Sequence, residues 1–184
     1  MEILIQIDEN ILLFIQEHLR QDWMNDFWSA VTHLGDSGWI WICTGVLLLL
    51  FKRTRKAGAA ELSALVIGAL ITNVVLKNAI ARIRPYEVVE GLHILIEKQR
   101  DFSFPSGHAC ASFAAAMALY KALPRKYGIC ALLLAGMIAL SRLYVGVHYP
   151  TDVLAGMLIG ILAGWTAWKL TEKSRETIDK RKIK

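Results

Sequence analysis

The sequence predicts an all-α, polytopic membrane helix bundle of about five transmembrane helices, with six as the alternative. Hydrophobic residues make up 55% of the chain, the mean hydropathy is +0.40, and the apolar residues come in long runs. Basic residues form short clusters between these runs, which is typical of membrane topology. The net charge of +5 therefore does not indicate a nucleic-acid partner. A length of 184 residues predicts one membrane-embedded domain, 1–184.

The first 34 residues are predicted to form amphipathic helices that lie on the membrane surface. Acidic and amide side chains alternate there with an apolar helical face. That face comprises Leu4, Ile7, Ile11, Phe14 and Ile15. The opening stretch, MEILIQIDEN, is acidic where a cleavable signal peptide would be basic, so we expect no such leader.

Five apolar segments are candidate transmembrane helices, since crossing a bilayer takes roughly 17–25 mostly apolar residues. They are 37–51, 58–77, 107–123, 127–145 and 152–169. In the last segment Gly156, Gly160 and Gly164 recur at a spacing that lets one helix approach another closely. The three cysteines, Cys43, Cys110 and Cys130, lie inside these segments without a metal-site or disulfide spacing.

The distribution of basic residues predicts the orientation. Clusters at 52–56, at 121–126 and from Lys169 onward hold 14 of the 21 Lys and Arg residues. In a five-helix arrangement these three stretches share one side, which should be the cytoplasm, so 170–184 is predicted to be a cytoplasmic basic tail. The remaining seven cations fall on the opposite side, against the usual bias, and this exception indicates a charged functional site.

Three clusters of polar residues fall on that opposite, non-cytoplasmic side. In KNAIARIRP, Lys77 and Arg84 are two helical turns apart and would point the same way if the helix persists, with Pro85 marking the helix exit. The second cluster, PSGH (105–108), is a helix opening whose free N–H groups can bind an anion. The third, SRLYVGVHYPTD, spans 141–152.

Together the clusters supply the groups that phosphoryl transfer needs. Lys77, Arg84 and Arg142 can form a phosphate receptor, because guanidinium groups match phosphate oxygens in pairs. Two histidines at one phosphate, His108 and His148, indicate a nucleophile and a proton donor. Asp152, four residues after His148, can accept the second N–H of that imidazole and so set its tautomer.

The motifs, in this order and spacing, resemble those of the type 2 phosphatidic acid phosphatase superfamily, which includes membrane lipid phosphatases and soluble vanadium haloperoxidases. The resemblance runs from about residue 77 to residue 152. It implies that His148 forms a phosphohistidine, that Asp152 orients it, and that His108 protonates the leaving oxygen and then activates water.

The resemblance also implies how the phosphate is held. Lys77, Arg84 and Arg142 would bind the non-bridging oxygens, assisted by Ser106, the Gly107 amide and Ser141. It implies no metal ion and no other cofactor. The loop 86–101 is expected to cover the site or to contact a headgroup, and His33 and His93 are expected to be interfacial.

The substrate expectation is undecaprenyl pyrophosphate, hydrolysed to undecaprenyl phosphate at the outer face of a bacterial plasma membrane. Phosphatidylglycerophosphate and phosphatidic acid are alternatives within the same mechanism. Two other classes stay open: a phosphotransferase with an acceptor other than water, and a non-hydrolytic lipid-binding or transport protein. The expected partners are the lipid phosphate and the bilayer, and the sequence sets no oligomeric state.

Overall fold

The computed structural model describes the backbone of residues 2–182 and the side chains of residues 3–174. Within that range the chain is helical with no β-strand, and the predicted fold class is confirmed. The helices, in chain order, are α1 (Glu2–Phe14), α2 (Asp22–Leu34), α3 (Trp39–Leu50), α4 (Arg55–Ala69), α5 (Lys77–Ile80), α6 (Pro85–Val88), α7 (Gly107–Ala122), α8 (Arg125–Tyr144) and α9 (Pro150–Lys182).

Two of these helices continue into π-helical turns, and a 3-10 turn joins two others. The π-helical turns are Ile15–Leu19 after α1 and Leu70–Leu76 after α4. The 3-10 turn, Asp36–Gly38, joins α2 to α3, which meet at a bend of 45°. Gly38 has a left-handed backbone, with φ +69°, which glycine adopts without strain.

Helix α7 lies at the centre of the bundle, in contact with α4, α8 and α9. Its contacts with α4 and α9 are made largely by alanine. In a bilayer, lipid tails are as apolar as side chains, so helices associate mainly through close van der Waals packing between small residues. The alanine cluster contains Ala60, Ala64, Ala114, Ala118, Ala163 and Ala167.

The glycines of α9 bring this helix unusually close to α7. A Cβ atom added at Gly156, Gly160 or Gly164 would lie 2.4 Å from a carbonyl oxygen of the segment 106–114. Such a distance is far inside van der Waals contact, so a larger residue at any of the three positions would separate the helices. The contact places the first turn of α7 beside the first turn of α9, which joins the second and third motifs.

Every predicted transmembrane segment lies in a helix, but the helices differ in length. Among the described residues, three are long and apolar enough to cross a membrane, at 55–88, 125–144 and 150–174. The bent pair of α2 and α3 makes a fourth if it is one span. Helix α7, with 16 residues, is shorter than these three. The count of five spans stays a prediction.

The predicted surface segment, 1–34, divides into two helices with different surroundings. Helix α1 exposes Ile3, Leu4 and Phe14 and buries Asp8 and Leu12. Helix α2 instead packs on α8 and bends into α3. Helix α2 nevertheless exposes large apolar side chains, at Trp23, Phe27 and Leu34, so both helices carry exposed apolar residues as the sequence predicts for the segment.

Chain direction places the three motifs at one end of the bundle. The connections at 51–54 and 123–124 lie at the opposite end, and both belong to the predicted cytoplasmic clusters. Helix α9 runs past residue 170 as far as Lys182. For the predicted tail, 170–184, side chains from residue 175 onward and the last two residues lie outside the described part of the chain.

The expected helix from Lys77 to Arg84 does not persist. Helix α5 ends at Ile80, Ala81 adopts a left-handed conformation with φ +49°, and Arg84 is extended ahead of Pro85. Proline disfavours helical geometry in the preceding residue, which accounts for the extended Arg84. Lys77 and Arg84 nevertheless reach the same cavity, by a different path.

Candidate active site

A cavity of about 1240 Å³ opens at the end of the bundle that carries the three motifs. Side chains or backbone from all three motifs line it. These residues are Lys77, Arg84, Gly107, His108, Arg142 and His148. The structure therefore brings together both histidines and all three cations that the sequence selects, although they are separated by up to 71 residues along the chain.

His148 is held between a carboxylate on one side of the ring and a guanidinium on the other. Its Nδ1 lies 3.4 Å from Asp152 Oδ2, and its Nε2 lies 3.4 Å from Arg84 Nη1. A carboxylate accepts and a guanidinium donates, so Nδ1 carries the proton and Nε2 keeps its lone pair. The unprotonated nitrogen therefore lies on the side of the cations.

The surroundings of His148 also keep the ring neutral. The pKa of His148 is lowered to about 3. Burial is the main cause, the charges of Arg84 and Arg142 act in the same direction, and the hydrogen bond to Asp152 opposes them. An imidazole with this pKa is unprotonated at neutral pH, which is the form required of a nucleophile.

The three cations are buried and differ in how fully they are engaged. Arg84 donates to the carbonyl oxygens of Val147 and Asp101, each at 2.8 Å. Arg142, 1% exposed, donates from Nη1 to Thr32 Oγ1 at 2.6 Å. Its buried Nε has no hydrogen-bond partner among the side chains and backbone described. Such a donor is costly unless a ligand satisfies it.

The first turn of α7 faces the same space. A Cβ atom at Gly107 would lie 3.9 Å from Lys77 Nζ and 3.1 Å from Asn73 Oδ1, so the absent side chain leaves room between the helix end and the ammonium group. Ser106 is the N-cap, and its hydroxyl accepts from the Ala109 amide at 3.4 Å. A helix start of this kind presents free N–H groups to an anion.

Two predicted phosphate-binding hydroxyls are directed to the protein backbone. Ser106 and Ser141 are fully buried behind the cavity wall. Ser141 donates to the Ile138 carbonyl oxygen at 2.6 Å, as a residue of the α8 interior. Direct contact of either hydroxyl with phosphate stays a prediction, and the structure adds a capping role for Ser106.

Sequence reasoning missed the residues that support Asp152. Arg82 donates to Asp152 Oδ1 at 2.7 Å and, through its other terminal nitrogen, to Asp8 Oδ2 at 2.8 Å. Ser103 and the Tyr149 amide donate to Asp152 Oδ2 at 2.5 and 3.0 Å. Arg82 lies inside the first motif, and its position there was the only signal in the sequence.

Sequence reasoning also missed a carboxylate that contacts His108. Asp36 Oδ1 lies 3.0 Å from His108 Nε2, and Asp36 Oδ2 lies 2.8 Å from His33 Nδ1. A Cβ atom at Gly35 would lie 2.7 Å from the His108 ring, so glycine lets the turn before α3 approach the imidazole. His33, expected to be merely interfacial, therefore belongs to a chain of polar contacts that ends at the site.

A second missed carboxylate, Asp101, contacts Lys77 and Arg84 at the cavity mouth. It ends the 86–101 loop, whose residues Ile94, Leu95 and Glu97 also line the cavity. The loop does lie over the site, as one of its two expected roles requires. Among the described residues, no group of three or more His, Cys, Asp or Glu side chains has the arrangement of a metal site.

Comparison with known proteins identifies the family. A family model described as the PAP2 superfamily matches residues 58–176. The undecaprenyl-diphosphatase of Sulfolobus acidocaldarius is 40% identical over 122 residues, which are 66% of this chain and 59% of that protein. Phosphatidylglycerophosphatase B of Bacillus subtilis is 36% identical over 155 residues, covering 78% of this chain and 73% of that protein.

Solved structures agree with the fold. The crystal structure of Aquifex aeolicus LpxE superposes with a TM-score of 0.77 at 26% identity, covering 87% of this chain and 93% of that one. The crystal structure of a PAP2-type phosphatidylglycerolphosphate phosphatase from Bacillus subtilis superposes with a TM-score of 0.73 at 32% identity, covering 91% of this chain and 86% of that one. The resemblance predicted from three short motifs is confirmed, and this multi-pass membrane protein belongs to the PAP2 superfamily.

Proposed function

We propose that this chain is a metal-independent membrane lipid phosphatase that converts undecaprenyl pyrophosphate to undecaprenyl phosphate at the outer face of the bacterial plasma membrane. The observation that carries the proposal is a single cavity lined by two imidazoles and three buried cations. This combination matches a bound phosphoryl group in charge and in hydrogen-bond donors.

The first chemical step transfers the phosphoryl group to His148. Its Nε2 lone pair forms a bond to phosphorus while the bond to the leaving oxygen breaks, and His108 gives its proton to that oxygen. Asp152 stabilises the imidazolium character that develops on His148. The products of this step are undecaprenyl phosphate, which keeps the former bridging oxygen, and a phosphohistidine.

The second step returns the enzyme to its starting state. His108, now neutral, takes a proton from water, and the water oxygen attacks phosphorus as the nitrogen–phosphorus bond breaks. The bonding pair returns to His148 Nε2. Throughout both steps Lys77, Arg84 and Arg142, with the Gly107 amide, stabilise charge on the non-bridging oxygens, which is the main protein contribution to phosphoryl transfer. Ser106 holds that amide in place as the helix cap, and Ser141 supports the turn that carries Arg142.

The cavity also offers a place for a lipid chain. Beside its charged end it is lined by apolar residues of α3 and α4, which face the region where bilayer tails would lie. These residues are Ile42, Leu62, Leu65, Val66 and Ala69. An isoprenyl chain has the shape and polarity for such a cleft, and the Sulfolobus relative is named for a substrate of that class.

The outward orientation rests on charge. The predicted cytoplasmic clusters at 52–56 and 121–126 lie at the end of the bundle opposite the cavity. Basic loops favour the cytoplasmic side, so the cavity would face outward. A pyrophosphate left on the outer leaflet would then reach the site directly.

The test of this function is phosphate release by the purified protein in detergent micelles with excess EDTA. We expect undecaprenyl pyrophosphate to be hydrolysed faster than phosphatidylglycerophosphate at equal mole fraction, with no loss of rate from the chelator. The reverse ranking would favour the alternative that the Bacillus relative's name suggests. Release from neither lipid would favour a non-hydrolytic protein.

A further inference from the structure

Asp101 contacts two of the three cations of the proposed phosphate receptor. One carboxylate oxygen contacts Lys77 Nζ, and the other lies 2.5 Å from Arg84 Nη2. The Asp101 carbonyl oxygen accepts from Arg84 Nε at 2.8 Å. Two of the three cations proposed to hold phosphate are therefore bound to an anion of the protein itself.

The Asp101 side chain lies where a ligand could displace it from the cations. Its side chain is 54% exposed, whereas those of Lys77 and Arg84 are 8% and 5% exposed. The carboxylate thus lies between the buried cations and the cavity mouth. An incoming phosphate would meet Asp101 before it met either cation.

The loop that carries Asp101 is anchored after it by the Ser103 amide, which donates to the Arg82 carbonyl oxygen at 2.9 Å, and before it by two further contacts. The Tyr86 hydroxyl contacts both the carbonyl oxygen and the amide of Gln99, at 3.1 Å each. The Leu95 amide donates to the Val145 carbonyl oxygen at 3.2 Å. These contacts leave the Asp101 side chain as the part that must rotate away when a ligand binds.

The contacts of Asp101 with the cations favour its ionised form. Partial burial alone would raise the pKa of its carboxyl, but the hydrogen bond and charge of Lys77 and the charge of Arg84 outweigh that effect and lower the pKa to about 2. The group is therefore an anion at neutral pH.

A carboxylate satisfies the receptor only in part. It offers two oxygens, whereas a phosphoryl group offers three non-bridging oxygens and a larger charge. Arg142, the third cation, keeps an unpartnered buried Nε among the described residues. A phosphate can therefore displace Asp101 by binding all three cations, whereas Asp101 binds two.

We propose that Asp101 is an internal competitor for the phosphate receptor, which lowers the affinity for substrate and for product phosphate and returns to the cations when the product leaves. The proposal rests on the proposed function, in which Lys77, Arg84 and Arg142 bind the substrate phosphate. Without such a competitor, free phosphate would leave three buried cations slowly, and turnover would be limited by product release.

The test is the dissociation constant of inorganic phosphate, measured by calorimetry on detergent-purified protein. If Asp101 covers the receptor in most molecules, the apparent dissociation constant of phosphate is the intrinsic constant divided by the fraction of molecules whose receptor is open. We therefore expect D101N to bind phosphate about tenfold more tightly. D101S should do the same and serves if D101N does not give folded protein. E90Q, which removes an exposed carboxylate of the same loop that lies outside the cavity lining, should match the unaltered protein.

Unchanged or weaker phosphate binding in both Asp101 variants would overturn the proposal, because it would make Asp101 a support for the cations. Equal tightening in E90Q would also overturn it, since that result would indicate a general effect of loop charge. The measurement needs no turnover. A failure here is therefore distinct from a failure of the proposed chemistry, which the phosphate-release assay detects.

Discussion

At the scale of single residues, Asp152 is the carboxylate on which the proposed nucleophile depends. It is fully buried, and its oxygens meet donors from Arg82, Ser103, the Tyr149 amide and His148. Each donor restricts the orientation of the carboxylate, and the carboxylate in turn restricts the imidazole. The geometry of His148 therefore depends on residues that never reach the substrate.

The variant Arg82→Gln should show whether Arg82 positions the Asp152–His148 pair or binds the substrate phosphate. Arg82 contacts Asp152 and Asp8 and lies outside the cavity lining, so its loss should loosen the Asp152–His148 pair without removing a phosphate ligand. We expect kcat to fall about 10- to 100-fold with little change in KM, as for other losses of catalytic alignment. Steady-state phosphate release measures both constants.

The matched control for this variant is Arg53→Gln, which removes an exposed cation at the far end of the bundle. It should leave both constants unchanged. A loss in Arg82→Gln that appears only in KM would place Arg82 among the phosphate ligands, and an unchanged kcat would refute its positioning role. Arg82→Lys should recover part of the rate, because a lysine can still pair with one of the two carboxylates.

The role of a residue could be predicted from the sequence where it and its partner lie in the same motif. His148 lies two residues ahead of α9 and Asp152 lies in its first turn, so their contact could be predicted from this closeness in the sequence. Asp36 and Asp101 contact His108 and Lys77 from distant turns, and nothing in their local sequence distinguishes them from other exposed acidic residues. Their roles follow only from the packing of the bundle.

At the scale of helices and turns, hydropathy predicts the positions of the helices well and their interruptions poorly. All five predicted spans lie in helices, because long apolar runs in a bilayer must satisfy their backbone hydrogen bonds internally. The left-handed Ala81 gives no sequence signal, since alanine is the best helix former. Pro85 marks only the end of the break.

The glycine spacing of α9 is a case in which sequence and structure agree in physical detail. Gly156, Gly160 and Gly164 meet backbone oxygens of the segment 106–114, so the helices approach to backbone contact. This contact places the PSGH motif against the first turn of α9, and the Ser106 amide donates to the Asp152 carbonyl oxygen at 3.0 Å. Packing of small residues therefore assembles the site.

Helix α1 is joined to the site by hydrogen bonds that the sequence does not reveal. Its apolar face is exposed, whereas Asp8, which borders that face, is buried and accepts from the Thr151 amide at 3.0 Å and from Arg82. Arg82 also contacts Asp152, so the surface helix and the carboxylate of His148 share one side chain. Amphipathic periodicity predicts the exposed face but not its docking partner.

At the scale of the whole molecule, the distribution of charge sets which side of the membrane the site faces. Single cysteines at Glu90 and at Arg53, in a background without the three native cysteines, can be probed on intact cells with an impermeant maleimide. We expect Glu90→Cys to be labelled directly and Arg53→Cys only after permeabilisation, because basic loops favour the cytoplasm. The opposite pattern would place the site inside and remove outer-leaflet lipids as substrates.

The account as a whole depends on a phosphoryl group that passes through His148. The direct test is to mix the protein with radiolabelled lipid pyrophosphate, stop the reaction rapidly without acid, and map the labelled peptides. We predict a base-stable, acid-labile phosphoryl group on the peptide that contains His148, and loss of both label and turnover in His148→Ala. Turnover that continues in His148→Ala, or label on another residue, would contradict the account.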